Sequence, residues 1–225
     1  MTKAVFFDVD FTLIYPGPTF QGEGYQTFCA KHGIGVDPSR FPDAVAGAAP
    51  LLDHREESQY HEDIFVDYTR CIIEGMGGTG PSLDACAREI YAEWAACHHF
   101  HLYDDVEPAL RGLAADGIKI GLISNSHRRL AEFQSHFELE GLINAALSSS
   151  DHGFMKPHPS IFNAALQLVD VRAAEAVMVG DNLQQDVRGA LNAGMRAVLL
   201  QRRDGPSTGG DVPVIRSLRE LKDLL

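Results

Sequence analysis

Residues 4–13 read Ala4-Val5-Phe6-Phe7-Asp8-Val9-Asp10-Phe11-Thr12-Leu13, an apolar run with β-branched and aromatic residues that stops at a pair of aspartates. A short continuous apolar run bounded by polar groups is the pattern of a strand buried on both faces. Comparable runs recur at 118–124, 145–148, 176–180 and 197–200. They are separated by stretches of helical spacing at 107–115, 128–137, 159–168 and 183–193. Strand and helix in alternation predict an α/β fold: a parallel sheet covered by helices on both faces.

Working outward from the first strand, roughly a hundred residues intervene before the second, far more than an ordinary crossover needs. The spacing predicts an inserted unit at 15–101, with helices at 25–32, 54–76 and 83–97 and breaks at 33–42 and 75–81. The expected organisation is a core of 1–14 and 102–225 carrying a helical insert. The insert is the more acidic part, with 13 acids against 5 bases in a chain of net charge −12. Residues 202–213, rich in Gly, Asp and Pro, read as an exposed loop.

At 225 residues and 45% hydrophobic, the chain can bury a real core. Its acidity argues against nucleic acid and anionic membrane as partners, since both are bound through lysine and arginine. The apolar runs are too short to span a bilayer. Met1-Thr2-Lys3 leads straight into the first strand without the pattern of a secretory signal, so a cytoplasmic location is expected. Cys29, Cys71, Cys86 and Cys97 form no Cys-x-x-Cys pair and are expected to be free thiols in a reducing compartment.

In an open parallel sheet the site lies outside the carboxyl ends of the strands. Those ends offer Asp8-Val9-Asp10, Ser124-Asn125 and Gly180-Asp181 with Asp186 beyond, while Lys156-Pro157 precedes a helix. Several carboxylates converging in a cleft would raise one another's pKa unless a divalent cation sat among them. Oxygen-only ligation points to Mg²⁺, which favours one or two carboxylates together with phosphate oxygens and water. A lysine, a serine hydroxyl and backbone N–H groups then suit a bound phosphoryl group. Singly, each of these pieces is commonplace: a turn aspartate, a helix N-cap, a surface lysine.

Together the residues resemble the haloacid dehalogenase superfamily, whose four motifs are matched by Asp8-Val-Asp10-Phe-Thr12-Leu13, Ser124, Lys156 and Gly180-Asp181 with Asp186. The match spans nearly the whole chain. It implies a Rossmann-like core with an α-helical cap inserted between the first and second motifs. By the resemblance, Asp8 would be the nucleophile and Asp10 the general acid and base. Ser124 and the Asn125 backbone would hold phosphoryl oxygens, and Lys156 would neutralise transition-state charge. Mg²⁺ would be held by Asp8, Asp181 and the carbonyl of Asp10, with Asp186 orienting Lys156 or a metal-bound water. The expected substrate is a small phosphorylated metabolite, turned over by a monomer or homodimer. One departure stands out: Phe11 occupies a position where the family often has glycine or a small polar residue.

Other readings remain open on the residues. A haloacid dehalogenase would lack the second aspartate, a phosphonatase would need a cap lysine for which Lys31 is the sole candidate, and a sugar-phosphate mutase would share all the motif residues. A non-catalytic binding domain is a further alternative on the same fold. In the insert, the helix start at residues 54–57 could face substrate but reads as a solvated first turn. His98, His99 and His101 read as linker rather than metal ligands, and Phe20, Tyr25, Phe65, Tyr68, Tyr91 and Trp94 as cap core.

Overall fold

A computed structural model describes residues 1–53, 58–202 and 210–225, with the side chain of residue 53 left aside. Its strands are β1 (Ala4–Phe7), β2 (Ile14–Pro16), β3 (Phe100–Leu102), β4 (Lys119–Ser124), β5 (Ala145–Ser148), β6 (Ala176–Gly180), β7 (Arg196–Leu200) and β8 (Val214–Ile215). Six of them form one parallel sheet in the order β5-β4-β1-β6-β7-β8, and β2 pairs with β3. The protein is thus an α/β fold with a parallel sheet flanked by helices. The chain builds outward from β1 to one side through β4 and β5, then returns to the other through β6, β7 and β8. That reversal beside β1 is where an open sheet leaves a crevice at its carboxyl edge.

The strands form there because both faces are apolar. Phe6, Phe7, Ile120, Leu122, Val177 and Met178 are completely buried, and burying each such side chain is worth about 1.5–3 kcal/mol. One face packs on the helix Pro159–Val169, where Phe6, Ile123 and Met178 meet Ile161, Phe162 and Leu166. Gly121 interrupts β4 for a steric reason: a Cβ there would stand 2.3 Å from Cδ1 of Phe6.

Contacts divide the chain into two units, one of Met1–Tyr15, Ser58–Tyr60 and Leu102–Leu225, the other of Pro16–Glu57 and His61–His101. The second unit is helical, with Gly22–Lys31, Phe41–Ala48, Pro50–Asp53, Glu62–Gly75 and Leu83–Glu93. Phe20 and Tyr25 are buried in it, and Phe20 packs on Trp94 and Phe100 with ring centroids 4.5 and 5.5 Å apart. Among the described residues no helix is long and apolar enough to cross a membrane.

Several elements depart from the periodicity. Of the helix expected at 54–76, residues 54–57 lie outside the described residues, and the observed helix is Glu62–Gly75. Gln59 instead bridges Phe154, Tyr60 donates its N–H to the Gly153 carbonyl (2.9 Å) and Met155 donates to that of Ser58 (2.6 Å). Backbone groups that a helix would satisfy internally are satisfied there by a distant segment. Phe41–Ala48 begins inside the break expected at 33–42, with Pro42 in its first turn, where a missing N–H costs nothing. The helix expected at 128–137 is shorter, Leu130–His136, which leaves Arg128 in the preceding loop. The helix expected at 183–193 is a π-helical turn, Leu183–Arg188, followed by Gly189–Asn192. Of the expected 202–213 loop, residues 203–209 lie outside the described residues.

Candidate active site

Asp8 continues β1 by one residue, its N–H donating to the Val179 carbonyl at 2.9 Å. With Phe7 paired to Leu122 on one side and Val179 on the other, the register carries Asp8, Ser124 and Gly180-Asp181 to the same edge of the sheet. Lys156 arrives from the loop before the helix Pro159–Val169, and its Nζ donates to Asp8 Oδ1 at 2.7 Å and to Asp186 Oδ1 at 2.6 Å. The Lys156 and Asp186 side chains are each only 1% exposed. This is a buried cation between two carboxylates.

The π-helical turn explains how Asp186 gets there. Asn182 Oδ1 accepts from the N–H groups of Gln184 and Gln185, both at 2.9 Å, and Asp186 Oδ2 accepts from the Asn182 N–H at 3.0 Å. The wide turn folds Asp186 back under Gly180, where a Cβ would lie 2.2 Å from Asp186 Oδ2. π-turns are rare and concentrate at functional sites. Glycine at 180 is therefore a requirement of the carboxylate beneath it.

Asn125 positions the lysine: its Oδ1 accepts from the Lys156 N–H at 2.7 Å, and its Nδ2 donates to the Lys156 carbonyl at 2.9 Å and to Gln185 Oε1 at 3.0 Å. This employs the Asn125 side chain in holding Lys156, whereas the expectation concerned its backbone. Ser124 Oγ lies 2.8 Å from Ser126 Oγ, both buried. Asp10 sits in the turn after β1, where Phe11 takes φ 63° and is 41% exposed. A non-glycine residue in the left-handed region costs about 1–2 kcal/mol, so the unusual residue does hold a strained turn. Both Asp10 oxygens face Arg128 Nη1, at 2.9 and 3.0 Å.

Carboxylate oxygens of Asp8, Asp181 and Asp186 lie within 4.8 Å of one another. Burial, with the charges of Asp186 and Asp10, pushes the Asp8 carboxyl up to about 7 against the pull of Lys156. Lys156 is buried too, yet Asp186 and Asp8 hold its ammonium above the ordinary lysine range, so Asp8 rather than Lys156 is the group that titrates. Asp181 is raised by desolvation and by the charges of Asp8 and Asp186.

These residues fit a divalent cation. Asp186 has one oxygen on Lys156 and the other on the Asn182 N–H, and Asp10 has both on Arg128. That leaves Asp8 and Asp181 as the carboxylates to hold a metal, with Asp10 able to add its main-chain carbonyl. One or two carboxylates with water and phosphate oxygens suit Mg²⁺, and a cation would relieve the repulsion that raises Asp8 and Asp181.

A pH dependence follows. The folded protein keeps a proton on Asp8 up to about 7, whereas a free aspartate loses it near 3.8. The stability this group contributes to the metal-free protein is therefore full below about 4 and is lost as pH rises through about 7. In EDTA, the unfolding temperature of the wild type relative to Asp8→Asn is expected to fall between pH 5 and 8.5, and added Mg²⁺ should restore it at pH 8 far more than at pH 5. A difference that is flat with pH would refute the assignment.

Elsewhere, Glu93, His98 and His99 also bring possible ligand atoms within 4.8 Å. Two of the linker histidines thus converge, with a glutamate in place of His101. His99 Nε2 already meets Glu93 Oε2 at 2.9 Å, a pair that accounts for the arrangement. Lys31 pairs with Glu89 at 3.2 Å and is 58% exposed, unlike a desolvated Schiff-base lysine. The four cysteines are thiols, none joined in a disulfide. Arg128 and Gln185 were not among the site residues expected from sequence, and Ser126 and Asn182, polar residues at the strand ends, carried no assigned role. Ser126 and Arg128 follow the Ser124-Asn125 pair directly, but helical spacing assigned Arg128 to the next helix.

A parallel sheet whose carboxyl edge presents an aspartate, a buried lysine and further carboxylates defines a hydrolase of the phosphate-handling kind on a Rossmann-like sheet. The haloacid dehalogenase-like hydrolase family description matches residues 2–194. The haloacid dehalogenase-like hydrolase domain-containing protein 3 of Danio rerio is 32% identical over 90% of this chain and 87% of its own. The glyceraldehyde 3-phosphate phosphatase of Methanothermobacter thermautotrophicus is 28% identical over the full length of both. The crystal structure of a HAD phosphatase from Thermococcus onnurineus superimposes with a TM-score of 0.69 at 25% identity, covering 99% of this chain and 97% of that one. The chain belongs to the haloacid dehalogenase-like hydrolase family.

Proposed function

We propose that this protein is a Mg²⁺-dependent phosphatase that hydrolyses a small phosphate monoester through an aspartyl-phosphate on Asp8. The observation that carries the reading is Lys156 locked between Asp8 and Asp186 with Asp181 alongside. That arrangement aims a carboxylate oxygen, a fixed positive charge and a cation site at one point. Asp8 attacks phosphorus, the ester P–O bond breaks, and Asp10 gives the leaving alkoxide its proton. Asp10 then takes a proton from water as the water oxygen attacks phosphorus, freeing phosphate and regenerating Asp8. Ser124 and the backbone after it face the phosphoryl oxygens, and Lys156 stabilises the charge that gathers on them. Bound Mg²⁺ would supply further neutralisation of those oxygens.

The glyceraldehyde 3-phosphate phosphatase relative supports a small phosphorylated substrate. Asp10 and Asp181 together favour phosphoryl chemistry over dehalogenation, in keeping with the motif pattern. Release of p-nitrophenol from its phosphate ester should require Mg²⁺ and stop in EDTA. Metal-independent release of halide from a 2-haloacid, with no phosphatase activity, would replace this reading.

A further inference from the structure

We infer that Arg128 is a positioning residue for the reaction, holding the Asp10 carboxylate in place for proton transfer. The inference rests on the phosphatase reading above and adds a residue to it. Arg128 is among the largest completely buried side chains of the protein, and its side chain is 1% exposed against 18% for Asp10. Burying a guanidinium is costly unless it is paired. Its Nη1 stands astride the carboxylate, 2.9 Å from Oδ1 and 3.0 Å from Oδ2.

The two residues are 118 positions apart in sequence, so the contact ties the turn after β1 to the loop after β4. That turn is strained at Phe11, and Asp10 is a polar side chain within it whose direction the contact with Arg128 sets. One nitrogen nearly equidistant from both oxygens anchors the carboxylate group and uses one lone-pair direction on each oxygen. The other direction on each stays available to give and take a proton. Because the helix begins at Leu130 rather than at 128, Arg128 lies in the loop before it and turns inward there. Proton transfer is sensitive to placement on the scale of an ångström, so a carboxylate released from this hold is a poorer acid and base.

The test compares Arg128→Met and Arg128→Lys with Asp10→Asn and the double variant Asp10→Asn/Arg128→Met, on p-nitrophenyl phosphate and on an alkyl phosphate. Arg128→Met is expected to lower kcat on the alkyl ester by about 10²-fold, inside the range of general acid–base catalysis, with KM changed by less than about threefold. The pre-steady-state burst of p-nitrophenol should persist within a few-fold of wild type, because that leaving group needs little protonation. Arg128→Lys should retain an intermediate kcat with the same ester selectivity, and it carries the test if the methionine variant does not fold. In the Asp10→Asn background, Arg128→Met should cost less than about twofold, since a residue that acts through Asp10 has nothing left to position. Equal losses on both esters that persist undiminished in the Asp10→Asn background, or wild-type turnover by folded Arg128→Met, would overturn the assignment. Asp8→Asn, run alongside, reports on the phosphatase reading separately: if it keeps wild-type turnover, that reading fails, whatever the Arg128 variants do.

Discussion

Asp8→Asn is expected to reduce turnover to background on every phosphate ester, while leaving the fold intact and phosphate analogues still able to bind. The substitution keeps the shape of the side chain but removes the anionic oxygen that makes the bond to phosphorus. It should also relieve crowding, because burial and the charges of Asp186 and Asp10 oppose ionisation at this position. Asp10→Asn is expected to fail differently. It spares the attacking oxygen and removes the acid that protonates the leaving group and the base that activates water, a contribution of about 10²–10⁴-fold. With p-nitrophenyl phosphate, Asp10→Asn should therefore release a first equivalent of p-nitrophenol and then stall as aspartyl-phosphate, whereas Asp8→Asn should show no burst. Stopped-flow absorbance with acid-quench detection of the phosphorylated protein distinguishes the two. An Asp8→Asn protein with wild-type turnover, once deamidation back to aspartate is excluded by mass, would refute the nucleophile.

Lys156→Met should cost stability as well as activity. Lys156 lies in contact with Asp8 at 2.7 Å and Asp186 at 2.6 Å, and removing it leaves two buried carboxylates without their cation. Breaking a buried ion pair by deleting one partner typically costs about 3–5 kcal/mol. Lys156 also pulls the Asp8 carboxyl down, so without it Asp8 will hold its proton to a still higher pH. The deficit, measured by urea unfolding, is therefore expected to be largest near pH 8 and to shrink toward pH 5, where the carboxyl of Asp8 is protonated in either protein. Mg²⁺ should recover part of the stability at pH 8 and none of the turnover. A midpoint unchanged at pH 8 would mean that the lysine is not the counter-charge of these acids.

Much of the sheet was legible because a strand buried on both faces must be apolar at every position. Each of the expected strands at 4–7, 118–124, 145–148, 176–180 and 197–200 has its counterpart within a residue. The short strands β2, β3 and β8 carry no such run, having one buried position each, and were not foreseen. In the helical insert, helices at Gly22–Lys31, Glu62–Gly75 and Leu83–Glu93 follow the apolar spacing, whereas Phe41–Ala48 begins where two prolines and two glycines suggested a break. Pro42 there occupies the one helical turn that tolerates it.

The sequence by itself determined the α/β alternation, the acids offered at the strand ends and a lysine just ahead of a helix. Each of those depends on local residue type: apolar runs make strands, and polar groups stop them. Tertiary structure decided which of these groups meet. The register of β1 against β4 and β6 brings Asp8, Ser124 and Asp181 to one edge, and a π-turn rather than an α-helix carries Asp186 under Gly180 to Lys156. It also turned Arg128 from an expected helix position into a buried partner of Asp10. The reason is that local periodicity reports which face of an element is apolar, whereas a buried charge is placed by the need to find its counter-charge, which here lies 118 residues away.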